Sequence, residues 1–258
     1  MSNEEKQQID YVIFDMDGTL IDTETIYTKV TNDILARYGQ TMSWSIKSGL
    51  MGLPALASAQ KLFSCYPEGT FPPEYTPEAY LDERIRLQDA AFRVVQPLPG
   101  AVKLIEDLRD SGIPMALATG STIEGVKTKT SHLPLFEHFH PHVLTSDSPP
   151  VAPSTEPTRG KPAPDIFLAA ARSLGFDVGV NESEGVSEQE KAVRKRGLVF
   201  EDALPGVQAA LRAGMNVCWI PDPELLAFNS GASEGAHQVL TSLEEFDLAR
   251  WGLGSSKD

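Results

Sequence analysis

Cysteine is scarce in this chain of 258 residues, because only Cys65 and Cys218 are present. A secreted scaffold stapled by disulfides would need several closely spaced cysteines, and these two lie far apart in sequence. Cys218 also falls within the apolar run from Val217 to Ile220, which is typical of a buried strand. We therefore predict two reduced thiols and a soluble cytoplasmic protein.

Basic residues are also in short supply, since 22 Lys and Arg stand against 36 Asp and Glu, which gives a net charge of −14. Such a charge repels nucleic acids and anionic membrane surfaces, so neither is an expected partner. No apolar run approaches membrane-spanning length, and the polar, acidic opening Met1–Gln8 lacks the features of a signal peptide. A small anion with its charge masked by a metal is compatible with this balance, and we expect a monomer or a small homo-oligomer.

Four short, β-rich apolar runs predict strands that are buried on both faces of a sheet. Each of the last three follows a segment with helical spacing and a glycine that stops the helix. Strands that alternate with helices in this way predict an α/β fold, a Rossmann-like parallel sheet with helices on both faces. The four runs are Tyr11–Phe14, Met115–Ala118, Leu198–Phe200 and Val217–Ile220.

Between residues 23 and 97 the pattern changes, because long amphipathic stretches occur there without any buried-strand run. We predict an α-helical cap domain over 23–97, inserted into an α/β core formed by 1–22 and 98–258. Two later stretches, 146–160 and 177–197, are rich in Pro, Ser, Thr, Glu and Lys. They are predicted to be surface loops.

Polar residues end the predicted strands, which is where ligands bind in open parallel sheets. The first strand ends at Asp15 and Asp17, the second at Thr119, Gly120 and Ser121, and the third at Glu201 and Asp202; Lys161 stands before a later helix. Four acids crowded at one rim would repel each other unless a cation lay among them. Mg²⁺ is the expected cation, because it prefers carboxylate and carbonyl oxygens and often bridges protein acids to phosphate.

In type and order these residues resemble the motifs of the haloacid dehalogenase superfamily, whose phosphatases carry Asp-x-Asp-x-Thr, a Thr or Ser, a Lys and a final acidic pair. The resemblance implies that Asp15 is the nucleophile and a metal ligand. It implies that Asp17 gives its backbone carbonyl to Mg²⁺ and its side chain to acid–base catalysis. Thr119 would hold the phosphoryl oxygens and Lys161 would balance charge, while Glu201 and Asp202 would complete the metal site, Glu201 directly or through water.

Physical chemistry favours the same roles. A carboxylate that attacks a phosphate dianion must overcome a repulsion that Mg²⁺ and Lys161 can neutralise, and the product would be an aspartyl phosphate on Asp15. Asp17 could protonate the leaving oxygen and then activate water. Gly18 permits a close approach of backbone N–H groups to the phosphate. With the roles that the resemblance implies for Thr119 and Lys161, we predict that the phosphoryl group is bound by Gly18, Thr119, Gly120 and Lys161.

The helical insertion resembles the small cap that one branch of the superfamily carries between its first two motifs. Within that branch the chain is most similar to pseudouridine-5'-phosphatases, in the core motifs and in runs such as Ser43–Ser48, Met51–Gly52 and Gly112–Pro114. This resemblance implies hydrolysis of a small sugar or nucleoside monophosphate, with pseudouridine 5'-phosphate favoured. Glycerol-3-phosphate and other sugar phosphates stay open as substrates, because the loops 146–160 and 177–197 depart from the pattern.

A phosphomutase of the β-phosphoglucomutase type is the alternative activity. Those enzymes share the core, the acidic pair and a run like Lys161–Phe167. They have a histidine twelve residues after the nucleophile, where this chain has Tyr27, and a cap arginine that aligns near Ala55. Both departures favour hydrolysis over phosphoryl transfer between sugars. A non-catalytic protein that kept the fold is disfavoured by the intact motif set.

Three further features have plainer interpretations. The alternating His138, His140 and His142 are predicted to be strand or loop residues, because a zinc site needs three or four ligands that converge tetrahedrally. The basic cluster Lys191, Arg194, Lys195 and Arg196 is predicted to be a solvated helix end. Trp44 and Phe63 are predicted to belong to the core of the cap.

Overall fold

The computed structural model describes residues 8–50, 53, 55–156, 158–228 and 232–253. The chain folds into two compact units, one formed by Met1–Ile21 with Gln96–Asp258 and the other by Asp22–Val95. We call them the α/β unit and the helical unit. The helical unit is an insertion, since the chain leaves the α/β unit after Ile21 and returns to it at Gln96.

The α/β unit contains a six-stranded, wholly parallel sheet with the strand order β3-β2-β1-β4-β5-β6. The order reverses at β1, so the crevice beyond the carboxyl end of β1 is the place where such sheets bind ligands. The strands are β1 (Tyr11–Phe14), β2 (Met115–Ala118), β3 (Val143–Leu144), β4 (Gly197–Glu201), β5 (Asn216–Trp219) and β6 (Gln238–Val239).

The predicted α/β fold is confirmed, and burial explains it. Every residue of β1, β2, β4 and β5 is buried, as expected for strands covered on both faces. Phe14 of β1 stacks on Phe200 of β4 with ring centroids 4.7 Å apart, and the same two residues are register partners. The helices of this unit are α5 (Ala101–Asp110), α6 (Ile123–Thr130), α7 (Asp165–Ser173), α8 (Glu188–Arg194), α9 (Leu204–Arg212) and α10 (Pro223–Phe228).

Helix α8 lies inside the segment 177–197 that sequence patterning predicted as a loop. It begins with a capping box, in which the Ser187 side chain accepts from the Glu190 amide and Glu190 accepts from the Ser187 amide. The predicted solvated helix end is also wrong for Arg194, which is 3 % exposed and donates to the carbonyl oxygens of Val178, Asn181 and Glu182. A buried guanidinium needs such acceptors, so Arg194 fixes the loop that precedes its own helix.

Among its described residues, the helical unit contains four helices, α1 (Thr23–Ala36), α2 (Trp44–Leu50), α3 (Ala55–Ser64) and α4 (Pro77–Phe92). Its core includes Ile34, Leu35, Leu62 and Tyr80. Phe63 packs against this core, as predicted, and stacks on Phe71 at 4.1 Å between ring centroids. Trp44 is half-buried, with the Lys47 ammonium 5.2 Å from its ring centroid.

Within the described part of the chain, no helix has the length and apolar character that a bilayer crossing requires. Cys65 is exposed and Cys218 is buried, and both are free thiols. Burial raises the pKa of Cys218, so this thiol stays protonated in the core. The Met51–Gly52 run that supported the resemblance to pseudouridine-5'-phosphatases lies outside the described residues.

Candidate active site

Asp15 occupies the first position after β1, where the ladder between β1 and β4 is extended by one bond. Its amide donates to the Phe200 carbonyl at 3.0 Å, and Asp15 is 6 % exposed. The chain then turns sharply, with Gly18 at φ +79°, a conformation that favours glycine. The Gly18 amide donates to the Ile21 carbonyl at 3.0 Å, so it is engaged inside the turn.

Lys161 lies between two buried carboxylates. Its Nζ donates to Asp15 Oδ1 at 2.5 Å and to Glu201 Oε1 at 2.6 Å, and it reaches the Ala118 carbonyl at 3.1 Å. The Lys161 side chain is 14 % exposed. The segment before α7 thus delivers one ammonium to residues at the ends of β1, β2 and β4.

Glu201, the last residue of β4, is 1 % exposed and is held against the start of α9. Its Oε2 accepts from the Ala203 amide at 3.1 Å. Gly206 in α9 makes room for this carboxylate, because a Cβ at Gly206 would lie 1.7 Å from Glu201 Oε1. Next to it, Asp202 accepts from Thr19 Oγ1 at 3.5 Å, and the Asp202 carbonyl accepts from Trp219 Nε1 at 2.7 Å.

Asp15, Glu201 and Asp202 form a carboxylate cluster that can hold a cation, since one oxygen from each lies within 4.8 Å of the others. It is the one such cluster of acids, histidines and cysteines among the residues that the structure describes. The ligand atoms are hard oxygens, which suit Mg²⁺.

Burial and neighbouring charges change the pKa values of Asp15 and Lys161. Burial raises the pKa of Asp15 above its ordinary value; Lys161 opposes the shift, and Glu201 and Asp17 add to it. Burial acts to lower the pKa of Lys161, but the Asp15 and Glu201 carboxylates outweigh it and hold that pKa above its ordinary value. The ammonium is therefore firmly charged, while the acids around Asp15 disfavour its ionisation.

Asp17 belongs to a second group of side chains. Its Oδ1 accepts from Lys129 Nζ at 2.6 Å and its Oδ2 accepts from Ser121 Oγ at 2.8 Å. Thr119 is 1 % exposed and its hydroxyl oxygen accepts from the Ser121 amide at 3.1 Å. Gly120, which stands between Thr119 and Ser121 in the sequence, is exposed, with open space where a Cβ would be.

Of the residues singled out from sequence, the structure gathers Asp15, Lys161, Glu201 and Asp202 around one point. It places the side chain of Asp17 with Ser121 and Lys129 instead. Lys129 was missed, because α6 shows no apolar pattern and its exposed Lys127 is an equally plausible ligand by sequence. Burial alone distinguishes the two lysines.

A family model described as haloacid dehalogenase-like hydrolase matches residues 9–214. The chain belongs to this family, and it is a phosphatase, a phosphoric monoester hydrolase.

Among curated relatives, the chain is 40 % identical over 251 residues to (DL)-glycerol-3-phosphatase 1, mitochondrial, of Arabidopsis thaliana, covering 97 % of this chain and 76 % of the relative. It is 35 % identical over 259 residues to the probable pseudouridine-5'-phosphatase of Drosophila melanogaster, covering 100 % of both. Among solved structures, a haloacid dehalogenase family hydrolase of Deinococcus radiodurans R1 with bound phosphate and sodium superposes with a TM-score of 0.73. That pair is 26 % identical and covers 96 % of this chain and 98 % of the other.

Proposed function

We infer that this protein is a Mg²⁺-dependent phosphomonoesterase that hydrolyses a small sugar or nucleoside monophosphate through an aspartyl phosphate on Asp15. The observation that carries this proposal is the position of the Lys161 ammonium, 2.5 Å from Asp15 and 2.6 Å from Glu201, with Asp202 in the same cluster. A buried carboxylate beside a fixed ammonium and further acids suits attack on a phosphate dianion.

The donor set fits magnesium. Asp15 and Asp202 would bind the ion with carboxylate oxygens and Asp17 with its backbone carbonyl. Both oxygens of Glu201 already accept bonds, from Lys161 and from the Ala203 amide, which favours contact through water for this residue. When bound, the ion would neutralise charge on the carboxylates and on the phosphoryl oxygens.

The chain's own residues account for two half-reactions. An Asp15 oxygen bonds to phosphorus while the bond to the leaving oxygen breaks, and that oxygen takes a proton from Asp17. Water then bonds to phosphorus and gives its proton to Asp17, the bond from Asp15 to phosphorus breaks, and inorganic phosphate departs. Lys161 and the Thr119 hydroxyl would hold the phosphoryl oxygens throughout, with the exposed backbone at Gly120 next to them.

The substrate class is proposed from the relatives. Their names include a (DL)-glycerol-3-phosphatase at 40 % identity and a probable pseudouridine-5'-phosphatase at 35 %, and the compounds in both names are small alkyl phosphomonoesters. Tyr27 and Ala55, which replace the histidine and arginine expected of a mutase, favour water as the phosphoryl acceptor.

The substitution Asp15→Asn tests the nucleophile. Turnover is expected to fall at least about a thousandfold, because an amide cannot form the acyl phosphate. The wild type should trap a hydroxylamine-sensitive phosphoenzyme and lose activity in EDTA, with recovery on adding Mg²⁺. Asp110→Asn, at an exposed acid at the end of α5, is the matched control and should keep full activity.

A panel that includes pseudouridine 5'-phosphate and glycerol 3-phosphate, followed by phosphorus NMR, assigns the substrate. Release of inorganic phosphate is expected. Activity that survives in Asp15→Asn would refute the nucleophile, and a sugar phosphate returned with its phosphoryl group moved would support the mutase alternative.

A further inference from the structure

The side chains of Asp17, Ser121 and Lys129 are joined to one another by three hydrogen bonds. Lys129 Nζ lies 2.6 Å from Asp17 Oδ1, Ser121 Oγ lies 2.8 Å from Asp17 Oδ2, and Lys129 Nζ lies 3.0 Å from Ser121 Oγ. Each oxygen of the Asp17 carboxylate is therefore held by a different donor. Two fixed points on one carboxylate set the direction of its plane as well as its position.

Lys129 is an unusual residue to find in this place. Its side chain is 5 % exposed, and it is the buried residue of α6, whereas Lys127 on the same helix is exposed. Lysine is almost never buried unless it is paired, and ordering its long side chain costs entropy. A buried ion pair adds little to stability compared with apolar packing, so stability alone is a weak reason for this arrangement.

We propose that Lys129 is a positioning residue for the acid–base step, and that with Ser121 it fixes the orientation of the Asp17 carboxylate. The inference rests on the proposed function, in which Asp17 exchanges a proton with the leaving group and with water. A carboxylate oxygen has two lone-pair positions. One donor on each oxygen leaves the other position for proton exchange while the carboxylate plane stays fixed. Fixed geometry matters because proton transfer requires hydrogen-bond contact with the reacting oxygen.

The dependence on the leaving group tests this role. An alkyl phosphomonoester needs a proton on its leaving oxygen, whereas 4-nitrophenyl phosphate releases a stable anion that does not. In single-turnover rapid-quench experiments on the full chain with Mg²⁺, Lys129→Met is expected to slow alcohol release from glycerol 3-phosphate by about 10–100-fold. Nitrophenol release should change by less than about threefold.

Conservative and control variants sharpen the result. Lys129→Arg keeps a charged donor and should restore most of the rate, and Ser121→Ala should show the same leaving-group selectivity with a smaller loss. Lys127→Met is the matched control and should leave both rates unchanged. In an Asp17→Asn background, Lys129→Met should add less than about twofold, because the residue that it positions is already disabled.

Two outcomes would overturn the inference: an equal loss of both rates in Lys129→Met, or no loss in either. If Lys129→Met does not fold, Ser121→Ala carries the test by the same comparison between substrates. These failures are distinct from failure of the proposed function, which would appear in the wild type as the absence of a trapped phosphoenzyme or of Mg²⁺ dependence.

Discussion

Glu201 and Gly206 are matched to each other at the scale of single residues. The Glu201 carboxylate fills the space that a Cβ at Gly206 would occupy, and it reaches from there to Lys161. The backbone at Gly206 is not in the left-handed region that favours glycine. Glycine is needed here because a Cβ would clash with the Glu201 carboxylate. The missing side chain at Gly206 leaves room for the Glu201 carboxylate within the carboxylate cluster.

The substitution Gly206→Ala is therefore expected to displace Glu201. Any helix propensity gained, about 1 kcal/mol, is outweighed by the clash, which breaks the bond to Lys161. We expect lower thermal stability and at least about a tenfold weaker apparent affinity for Mg²⁺, measured by activity against Mg²⁺ concentration. Gly49→Ala in α2 is the control, because a Cβ there meets nothing within 4 Å. Unchanged Mg²⁺ dependence in Gly206→Ala would contradict the proposal that Glu201 contributes to the metal site.

At the scale of elements, an ion pair joins the end of α1 to α4 in the helical unit. The Arg37 guanidinium donates to both oxygens of Glu83, at 2.8 and 2.6 Å, and the Tyr75 hydroxyl donates to the same carboxylate at 2.6 Å. Hydrogen bonds from Arg37, opposed by burial and aided by Tyr75, lower the pKa of Glu83. Bidentate geometry makes this pair more stabilising than most partly exposed ones.

The lowered pKa of Glu83 determines how the stabilisation by the ion pair between Arg37 and Glu83 changes with pH. Because the folded-state pKa of Glu83 is depressed, its stabilisation is present above the unfolded-state pKa and is lost as pH falls through the folded value. We expect Glu83→Gln to lower the free energy of unfolding by about 1 kcal/mol at pH 7, and by less near pH 3, which is below the unfolded-state pKa of a glutamate. Thermal unfolding at both pH values measures this, with exposed Glu74→Gln as the control. A deficit as large at pH 3 as at pH 7 would assign the loss to packing.

At the scale of the whole molecule, the chain leaves and re-enters the α/β unit at adjacent points. Ile21 and Pro97 form an antiparallel bridge, and the Leu98 amide donates to the Leu20 carbonyl at 2.9 Å. The carboxylate cluster and Lys161 all belong to the α/β unit. A short linker can therefore replace the insertion without stretching the surrounding backbone.

We expect that a protein with residues 22–95 replaced by a short Gly-Ser linker folds cooperatively and still responds to metal. Mg²⁺ at about 100 times its dissociation constant should stabilise it by about 2.7 kcal/mol. Thermal unfolding with and without Mg²⁺ measures this, and Glu201→Gln in the same protein should reduce the response. A broad, non-cooperative transition would show that the α/β core depends on the insertion.

The sequence by itself determined four strands of the α/β unit and the polar residues at their carboxyl ends. Buried strands need uninterrupted apolar runs, so β1 and β2 could be located to the residue, and parallel strands bring their carboxyl ends to one edge. Asp15, Glu201 and Asp202 could be placed together for that reason. The local sequence pattern was enough to locate these strands and the polar residues that follow them, because both depend on neighbouring residues in the chain.

Only the tertiary structure decided which polar side chains meet across distant elements. Lys129 is buried against Asp17 and Arg194 is buried against a loop, yet each has an exposed basic neighbour that the sequence does not distinguish from it. The requirement for glycine at position 206 can be explained only from the structure, because the Glu201 carboxylate occupies the space where a Cβ would lie. Burial of a charge depends on partners far along the chain, and that dependence leaves no periodic trace in the sequence.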